Sequence, residues 1–281
     1  FKAWGNRMID VGAKNFYSKD TFSDYPPGYL YVLGILSWIC KAFKIGWNVD
    51  SAAVDWTSAA TDVVFKLPAC ICDVAAGYFI YKIARRKLPN STSLFCAALY
   101  IFNPAVMIDS AVWGQVDSIY VFFLVLMMYF IIEKKLPSAY IVFGIGIIVK
   151  PQMTFFTPIL IWAIIEQVFL NDFSKKKFIE NLSWGIGAIA IMFLFALPFG
   201  LSKVIPQFVD TVSSYPYASV NAYNFWTMIG RNWASQTDKL FFLKASVWGT
   251  IAIITMVILT FYLFHKTKED SSGQGVIPNR R

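Results

Sequence analysis

The chain alternates long apolar runs with short polar links. Seven such runs occupy residues 61–84, 92–108, 118–132, 136–149, 153–170, 179–199 and 246–264. About twenty apolar residues cross a bilayer as a helix, and runs such as IYVFFLVLMMYFII at 119–132 are too apolar for a helix with one face in water. The pattern therefore predicts an all-α, polytopic membrane helix bundle with about seven spans.

Composition supports this class. Apolar residues make up 57% of the chain and charged residues 15%, whereas about a quarter of a soluble domain is charged. The net charge of +8 does not indicate nucleic acid, because the basic residues cluster in the links between spans. Such links lie on the cytoplasmic side of membrane proteins.

Every second link is basic, and this alternation predicts the orientation of the chain. Basic links follow the runs that end at residues 84, 132, 170 and 264. We therefore expect these links and the C-terminus in the cytoplasm. The other links contain WGQVD, KPQ and the polar segment 200–245, and we expect them on the extracytoplasmic side.

The N-terminal part, residues 1–59, is predicted to be a first external loop with interfacial helices. The apolar run 29–43 is short for a span and contains Gly34. In residues 1–17, Trp4, Met8 and Val11 share one face at helical spacing. The bundle then covers residues 60–265, including the external loop 200–245, and the polar tail 266–281 is predicted to be a disordered cytoplasmic end.

The first outer link carries unusually polar chemistry for its depth. Residues 92–132 are only long enough for about two crossings, so WGQVD (113–117) must be the turn itself. Carboxylates at the edge of the hydrocarbon are costly unless they are paired or functional. Asp109, Trp113, Gln115 and Asp117 are therefore candidate binding residues. The alternative is an ordinary surface turn with solvated acids and Trp113 as an interface anchor.

The second outer link, VKPQM, follows a helix predicted at Leu136–Val149. A helix of that length spans about 21 Å, less than a hydrocarbon core of about 30 Å. Lys150 is therefore expected below the outer surface, facing a cavity, where an amine suits an anionic partner such as phosphate. Gln152 adds a second polar group. The alternative is a lysine that reaches up to the lipid headgroups.

Two further segments complete the outer face. Residues 213–233 interleave Asn221, Asn224 and Arg231 with tyrosines and tryptophans, a composition that suits a sugar-facing surface or an interfacial aromatic belt. In DYPPGYLY (24–31), Asp24 either caps the following helix, which we favour, or faces the cavity. Within the span 61–84, Lys66 and Asp73 share a face but are too far apart to pair, so each needs another partner.

In this order, the segments FKAW, DYPPGYLY, NPAVMIDSAVWGQVDSIY, VKPQMTFFTP and SVNAYNFW resemble those of the GT-C class of integral-membrane glycosyltransferases. The resemblance is closest to enzymes that use lipid-phosphate sugars, including bacterial proteins similar to the GPI mannosyltransferases. It implies a GT-C-like fold and inverting transfer of a hexose, with mannose favoured. The donor would be a polyprenyl-phosphate sugar and the acceptor a glycan or lipid-linked hydroxyl at the extracytoplasmic membrane face.

The resemblance also implies roles for residues. The general base is expected to be an aspartate upstream of Phe1, with Asp24 and Asp117 in reserve. Lys150, and secondly Arg231, would contact the donor phosphate. The expected substrate-binding residues are Tyr25, Asp109, Trp113, Gln115, Asp117, Lys150, Gln152, Asn221, Asn224 and Arg231. Some relatives use a divalent metal and others do not, and no ligand spacing here decides between them; the four cysteines form no metal pattern.

Two other functions are compatible with the sequence. Intramembrane acids and lysines also mark the paths of transporters and flippases. Against this, no inverted repeat is visible and the polar groups concentrate at one face. A non-catalytic membrane subunit of the same fold is the second alternative.

Overall fold

The computed structural model describes residues 1–18, 22–170, 173–213, 215–222 and 224–273. The described chain is mostly helical, with two short β-hairpins, which confirms the predicted all-α membrane bundle. It divides into two compact units, Phe1–Phe208 and Val209–Arg281.

The first unit contains the N-terminal helices and most of the apolar runs. Its helices are α1 (Lys2–Val11), α2 (Pro27–Ala42), α3 (Ala59–Ala84), α4 (Asn90–Ile101), α5 (Pro104–Met107), α6 (Asp117–Ile132), α7 (Leu136–Val149), α8 (Thr157–Ile164) and α9 (Lys175–Ala196). A π-helix, Ile108–Trp113, continues α5, and another, Ile165–Leu170, continues α8. Short 3-10 helices lie at Ala13–Asn15, Pro151–Phe156 and Leu197–Phe199. The antiparallel strands β1 (Trp47–Asn48) and β2 (Ala53–Val54) form a hairpin that the sequence pattern did not predict.

All seven apolar runs are helical, but their lengths differ. Within the described residues, four helical stretches are long and apolar enough to cross a membrane: Ala59–Ala84, Pro151–Leu170, Lys175–Phe199 and Ala245–Leu263. A bent pair, Asn90–Ile101 with Pro104–Trp113, makes a fifth if it counts as one span. The helices Asp117–Ile132 and Leu136–Val149 are apolar but shorter.

The run 92–108 is not the single straight span that the sequence predicted. Its two helices are bent by 44° at a break after Ile101. Asn103 causes the restart, because its side chain accepts a hydrogen bond from the backbone N–H of Ala105 (2.9 Å) and Pro104 stands at the first helical position. Both features are typical of a helix start. The second helix of this pair therefore runs in a different direction from the first.

The N-terminal helices pack on the bundle through close backbone contacts. A Cβ atom at Gly5 would lie 2.6 Å from the carbonyl oxygen of Leu33 in α2, and one at Gly28 would lie 2.5 Å from that of Ile148 in α7. The core around them includes the buried side chains of Tyr29, Leu30, Val116 and Phe199. The N-terminal helices α1 and α2, which were predicted to be interfacial, thus also contribute to the core of the first unit.

The second unit holds the rest of the outer segment and the last span. Helix α10 (Leu201–Ser213) runs across the division, followed by α11 (Phe225–Met228) and the hairpin of β3 (Lys239–Leu240) and β4 (Leu243–Lys244). Helix α12 (Ala245–Gly273) continues past Lys266. The predicted disordered cytoplasmic tail, 266–281, stays a prediction, and residues 274–281 lie outside the described residues.

Candidate functional site

The first outer link is a tight turn built on a π-helix. Gly114 ends the π-helix in the left-handed conformation (φ 79°). The backbone carbonyl of Asp109 accepts hydrogen bonds from the N–H groups of Gly114 (2.8 Å) and Gln115 (2.9 Å). Lys66, from α3, donates to the carbonyl oxygen of Val112 at 2.8 Å. These bonds fix the turn, and a π-helix is a frequent feature of functional sites.

An ion pair joins the two outer links. Asp117 is the first residue of α6, and Lys150 follows the last residue of α7, the helix that packs beside it. The Lys150 ammonium lies 2.5 Å from the Asp117 carboxylate. Its side chain is only 12% exposed, whereas that of Asp117 is 41% exposed. Lys150 is thus largely buried within the protein, and its described partner is a carboxylate; its depth in the membrane stays a prediction.

The phenol of Tyr25 faces the same acids. Tyr25 lies in the segment before α2, where its ring centroid is 5.4 Å from those of both Phe1 and Trp4. Burial, followed by the negative charge of Asp117, raises the pKa of Tyr25 above its ordinary value, and Asp24 and Asp109 add to the effect. The side chain therefore stays protonated at neutral pH and can donate a hydrogen bond.

Asp109 is the fourth member of this group. It is half-buried in the π-helix, within electrostatic range of the carboxylate of Asp117 and the ammonium of Lys150. We call Tyr25, Asp109, Asp117 and Lys150 the outer-face cluster. It brings together two acids, one amine and one phenol from three segments that are distant in sequence: the segment before α2, the first outer link and the end of α7.

A second polar contact lies deeper in the bundle. Asp73 is 5% exposed near the middle of α3, and its carboxylate accepts a hydrogen bond from the Tyr100 hydroxyl at 3.2 Å. Lys66 and Asp73 therefore have separate partners, as their spacing predicted. The partner residues were not found from sequence: Tyr100 belongs to α4, and no local spacing relates it to Asp73.

Tyr120 is a further residue of the site that was not predicted from the sequence. The Lys150 ammonium lies 5.5 Å from the centroid of its ring, close enough for a cation–π interaction. Tyr120 follows Asp117 by three residues on α6, so both share one face of that helix. That spacing is the signal in the sequence from which Tyr120 was identifiable.

The remaining predicted residues of the first unit lie around the two links. Trp113 ends the π-helix with its side chain 71% exposed, and Gln115 lies in the turn, half-buried. Gln152 is exposed in the 3-10 helix after Lys150. The expectation that Asp24 caps α2 was wrong, because Pro26 occupies the N-cap position without a side-chain hydrogen bond.

The amides predicted in the second unit have structural bonds there. The side-chain oxygen of Asn221 accepts from the Trp233 indole N–H (3.0 Å), and that of Asn224 accepts from the backbone N–H of Thr227 (3.1 Å), which caps α11. A guanidinium N–H of Arg231 donates to the carbonyl of Lys239 at 3.2 Å. Their contact with substrate stays a prediction.

Metal ligation gains no support from the arrangement of side chains. Over the described ranges, no three His, Cys, Asp or Glu side chains come together in a group that could hold a metal ion. Whether the protein uses a divalent metal is therefore decided neither by the sequence nor by this arrangement.

The fold and the cluster define a class: a multi-span helical membrane protein with acids and an amine gathered at the ends of its spans. Comparison with family models narrows the class. Residues 58–199 match the model described as dolichyl-phosphate-mannose-protein mannosyltransferase. The match covers half of the chain and includes Asp109, Asp117 and Lys150. The chain belongs to this family of membrane glycosyltransferases.

Proposed function

We propose that this protein transfers a hexose, mannose by family, from a polyprenyl-phosphate sugar to an acceptor hydroxyl at the extracytoplasmic membrane face, with inversion at the anomeric carbon. The family match supports mannosyl transfer from a lipid-phosphate donor. The extracytoplasmic face is inferred from the alternation of basic links. The acceptor is a glycan or a lipid-linked sugar.

The observation that carries this proposal is the position of Lys150. Its ammonium has three N–H donors, and one of them points to Asp117 at 2.5 Å. The side chain is largely buried beside the aromatic ring of Tyr120. Positive charge held in such a place stabilises a phosphate far more than it would in water.

The reaction needs little from the protein beyond positioning and charge. The acceptor oxygen attacks the anomeric carbon, the bond from that carbon to the phosphate oxygen breaks, and the lipid phosphate leaves with the electron pair. The acceptor proton passes to a carboxylate acting as general base. In this scheme Lys150 stabilises the charge that develops on the leaving phosphate.

The other members of the outer-face cluster orient the reactants. Asp117 holds the amine of Lys150 in place. Tyr25 donates a hydrogen bond from its protonated phenol to the sugar or the phosphate. In this scheme Asp109, Gln115 and Trp113, in and beside the turn, contact the substrate, and Asp24 is the reserve base within the chain.

The test is a transfer assay with the purified full-length protein in nanodiscs. Polyprenyl-phosphate mannose and polyprenyl-phosphate glucose are offered separately with glycan acceptors, and the released polyprenyl phosphate and the product are measured. We expect turnover with the mannose donor. No turnover and no donor binding with either sugar would refute the proposal; vectorial movement of the lipid without cleavage would favour a flippase.

A substitution at Lys150 tests whether this residue contacts the donor phosphate. Lys150→Ala is expected to weaken binding of the donor by at least about tenfold, the scale of one charge-assisted contact. Lys134→Ala is the matched control, because Lys134 lies in a basic link that follows α6. Equal donor affinities for the Lys150→Ala variant and the unaltered protein would remove the phosphate assignment.

A further inference from the structure

Helix α1 has two different surfaces. Phe1 and Trp4 contact the ring of Tyr25 on one side. Lys2, Asn6 and Asp10 follow one another at intervals of four residues and form a polar stripe. At 100° per residue, about 3.6 residues per turn, this stripe lies on roughly the opposite side of the helix from Phe1 and Trp4. The outer-face cluster uses only the first of these surfaces.

A groove of about 430 Å³ lies along the polar stripe. Its lining residues are Lys2, Ala3, Asn6, Arg7, Asp10, Val11 and Trp56. The volume is within the range of small-ligand sites. The groove joins α1 to the segment between β2 and α3, which the sequence singled out only as part of the first external loop.

The charged groups of the groove are already paired. The Lys2 ammonium lies 2.6 Å from the carboxylate of Asp62 and also donates to the carbonyl oxygen of Trp56 at 2.6 Å. One oxygen of Asp10 lies 3.0 Å from the Lys41 ammonium, and the other accepts from the Asn6 amide at 2.9 Å. The Arg7 guanidinium donates to the carbonyl oxygens of Phe16 (2.9 Å) and Asn15 (3.1 Å). Because each charged group of the groove already has a partner, a neutral, hydroxyl-rich ligand suits the groove better than an ion.

Trp56 supplies an aromatic surface in the same groove. Its ring packs edge-on against Phe65, with centroids 6.4 Å apart, and its backbone carbonyl is held by Lys2. A fixed indole beside a carboxylate and an amide is the combination that binds sugars: the ring face covers C–H groups, and the polar atoms bond hydroxyls.

We propose that this groove binds a neutral hexopyranose ring of the acceptor, remote from the hydroxyl that reacts. The inference rests on the proposed function for the role of the bound sugar, but the binding itself is independent of transfer. The groove and Tyr25 of the outer-face cluster lie on opposite sides of α1, because Trp4 on that helix and Phe1 at its start contact Tyr25. The groove would then select acceptors longer than a single sugar.

The test uses sugars alone, without any donor. Saturation-transfer NMR is recorded on the full chain in nanodiscs with methyl α-D-mannopyranoside, methyl α-D-glucopyranoside and α-mannobiose. We expect saturation transfer to at least one of them. Trp56→Ala should weaken its binding about three- to tenfold, as expected for loss of one aromatic contact. Asn6→Ala, which leaves the aromatic core intact, should also weaken it.

Trp38→Ala is the matched control, because Trp38 is an exposed tryptophan on α2 that lines a different groove with Met8 and Gly34. Its sugar affinity should equal that of the unaltered protein. No saturation transfer to any of the three sugars overturns the inference, and so does equal loss in the Trp38 and Trp56 variants. Size-exclusion profiles and melting temperatures of the variants confirm that they are folded.

The two proposals fail in different ways. Sugar binding that depends on Trp56, together with no transfer from any donor, would refute the proposed function and leave the groove as a sugar site. Transfer with the same acceptor KM in the Trp56→Ala and unaltered proteins would refute the groove as an acceptor site and leave the proposed function standing.

Discussion

At the scale of single residues, the Lys150–Asp117 pair shows how one side chain can serve both the fold and the site. Lys150 is almost buried, while Asp117 is partly open to solvent. Removing the acid therefore strands a buried charge, whereas removing the amine leaves an acid that water can reach. The two substitutions should accordingly differ in their consequences.

Asp117→Asn is expected to lower the free energy of unfolding by about 1–2 kcal/mol, less than for a fully buried pair because Asp117 is partly exposed. Donor affinity should fall less than in Lys150→Ala, since the amine that faces the phosphate is kept. Chemical denaturation and donor titration measure the two effects. Greater loss of donor affinity in Asp117→Asn than in Lys150→Ala would contradict this division of roles.

Tyr25 gives a prediction about pH. Its pKa is raised above the ordinary value of about 10 by burial and by the nearby acids, so the phenol keeps its proton between pH 6 and 9. Tyr25→Phe should lower kcat/KM of transfer without changing the shape of its pH profile in that range. A limb of the profile that disappears in Tyr25→Phe would show that Tyr25 titrates there, against this expectation.

At the scale of elements, the site depends on how closely α2 approaches the end of α7. The backbone at Gly28 leaves no room for a side chain, since a Cβ there would lie 2.5 Å from the carbonyl oxygen of Ile148. Ile148 is two residues before Lys150. The contact therefore couples the DYPPGYLY segment, including Tyr25, to the position of the amine.

Gly28→Ala should lower the free energy of unfolding by about 1–3 kcal/mol, the usual cost of forcing extra volume into a packed contact, and should weaken donor binding. Gly185→Ala is the matched control, because a Cβ at Gly185 in α9 meets nothing within 4 Å. That change should be neutral or stabilising by up to about 1 kcal/mol. Equal melting temperatures for the two variants would contradict the packing argument.

At the scale of the whole molecule, the predicted orientation puts the outer-face cluster and the groove on the same side of the membrane. In the first unit, Asp117 at the start of α6 and Trp56 before α3 lie at the ends of those helices opposite the basic links that follow them. Arg86 and Glu133, at the other ends of α3 and α6, form an ion pair. The bundle thus separates a basic face from the face that carries the candidate site.

Cysteine labelling tests this orientation. In a variant lacking the four native cysteines, Asn48→Cys is expected to react with a membrane-impermeant maleimide added to intact cells. Lys134→Cys should react only after the membrane is opened, because basic links face the cytoplasm. Asn48 lies in the hairpin strand β1 and Lys134 in the link between α6 and α7, so neither change disturbs a helix. The reverse pattern would place the cluster in the cytoplasm.

The sequence by itself determined the class and the order of the helices. Apolar runs of span length are typical of membrane proteins and rare in soluble folds. In lipid such runs must be helical, because each backbone polar group has to be hydrogen-bonded within the segment. The shortness of α7 also followed from counting residues. Asp109, Gln115 and Asp117 were identifiable from sequence as candidate binding residues, because polar groups at the predicted edge of the hydrocarbon are costly.

Only the tertiary structure decided which of these groups meet. The Asp117–Lys150 and Asp73–Tyr100 contacts join different helices, and helical periodicity relates residues only within one helix. The bend after Ile101 and the groove beside Trp56 likewise depend on how segments pack. Local sequence fixes which face of a helix a side chain occupies, but its partner is set by the path of the whole chain.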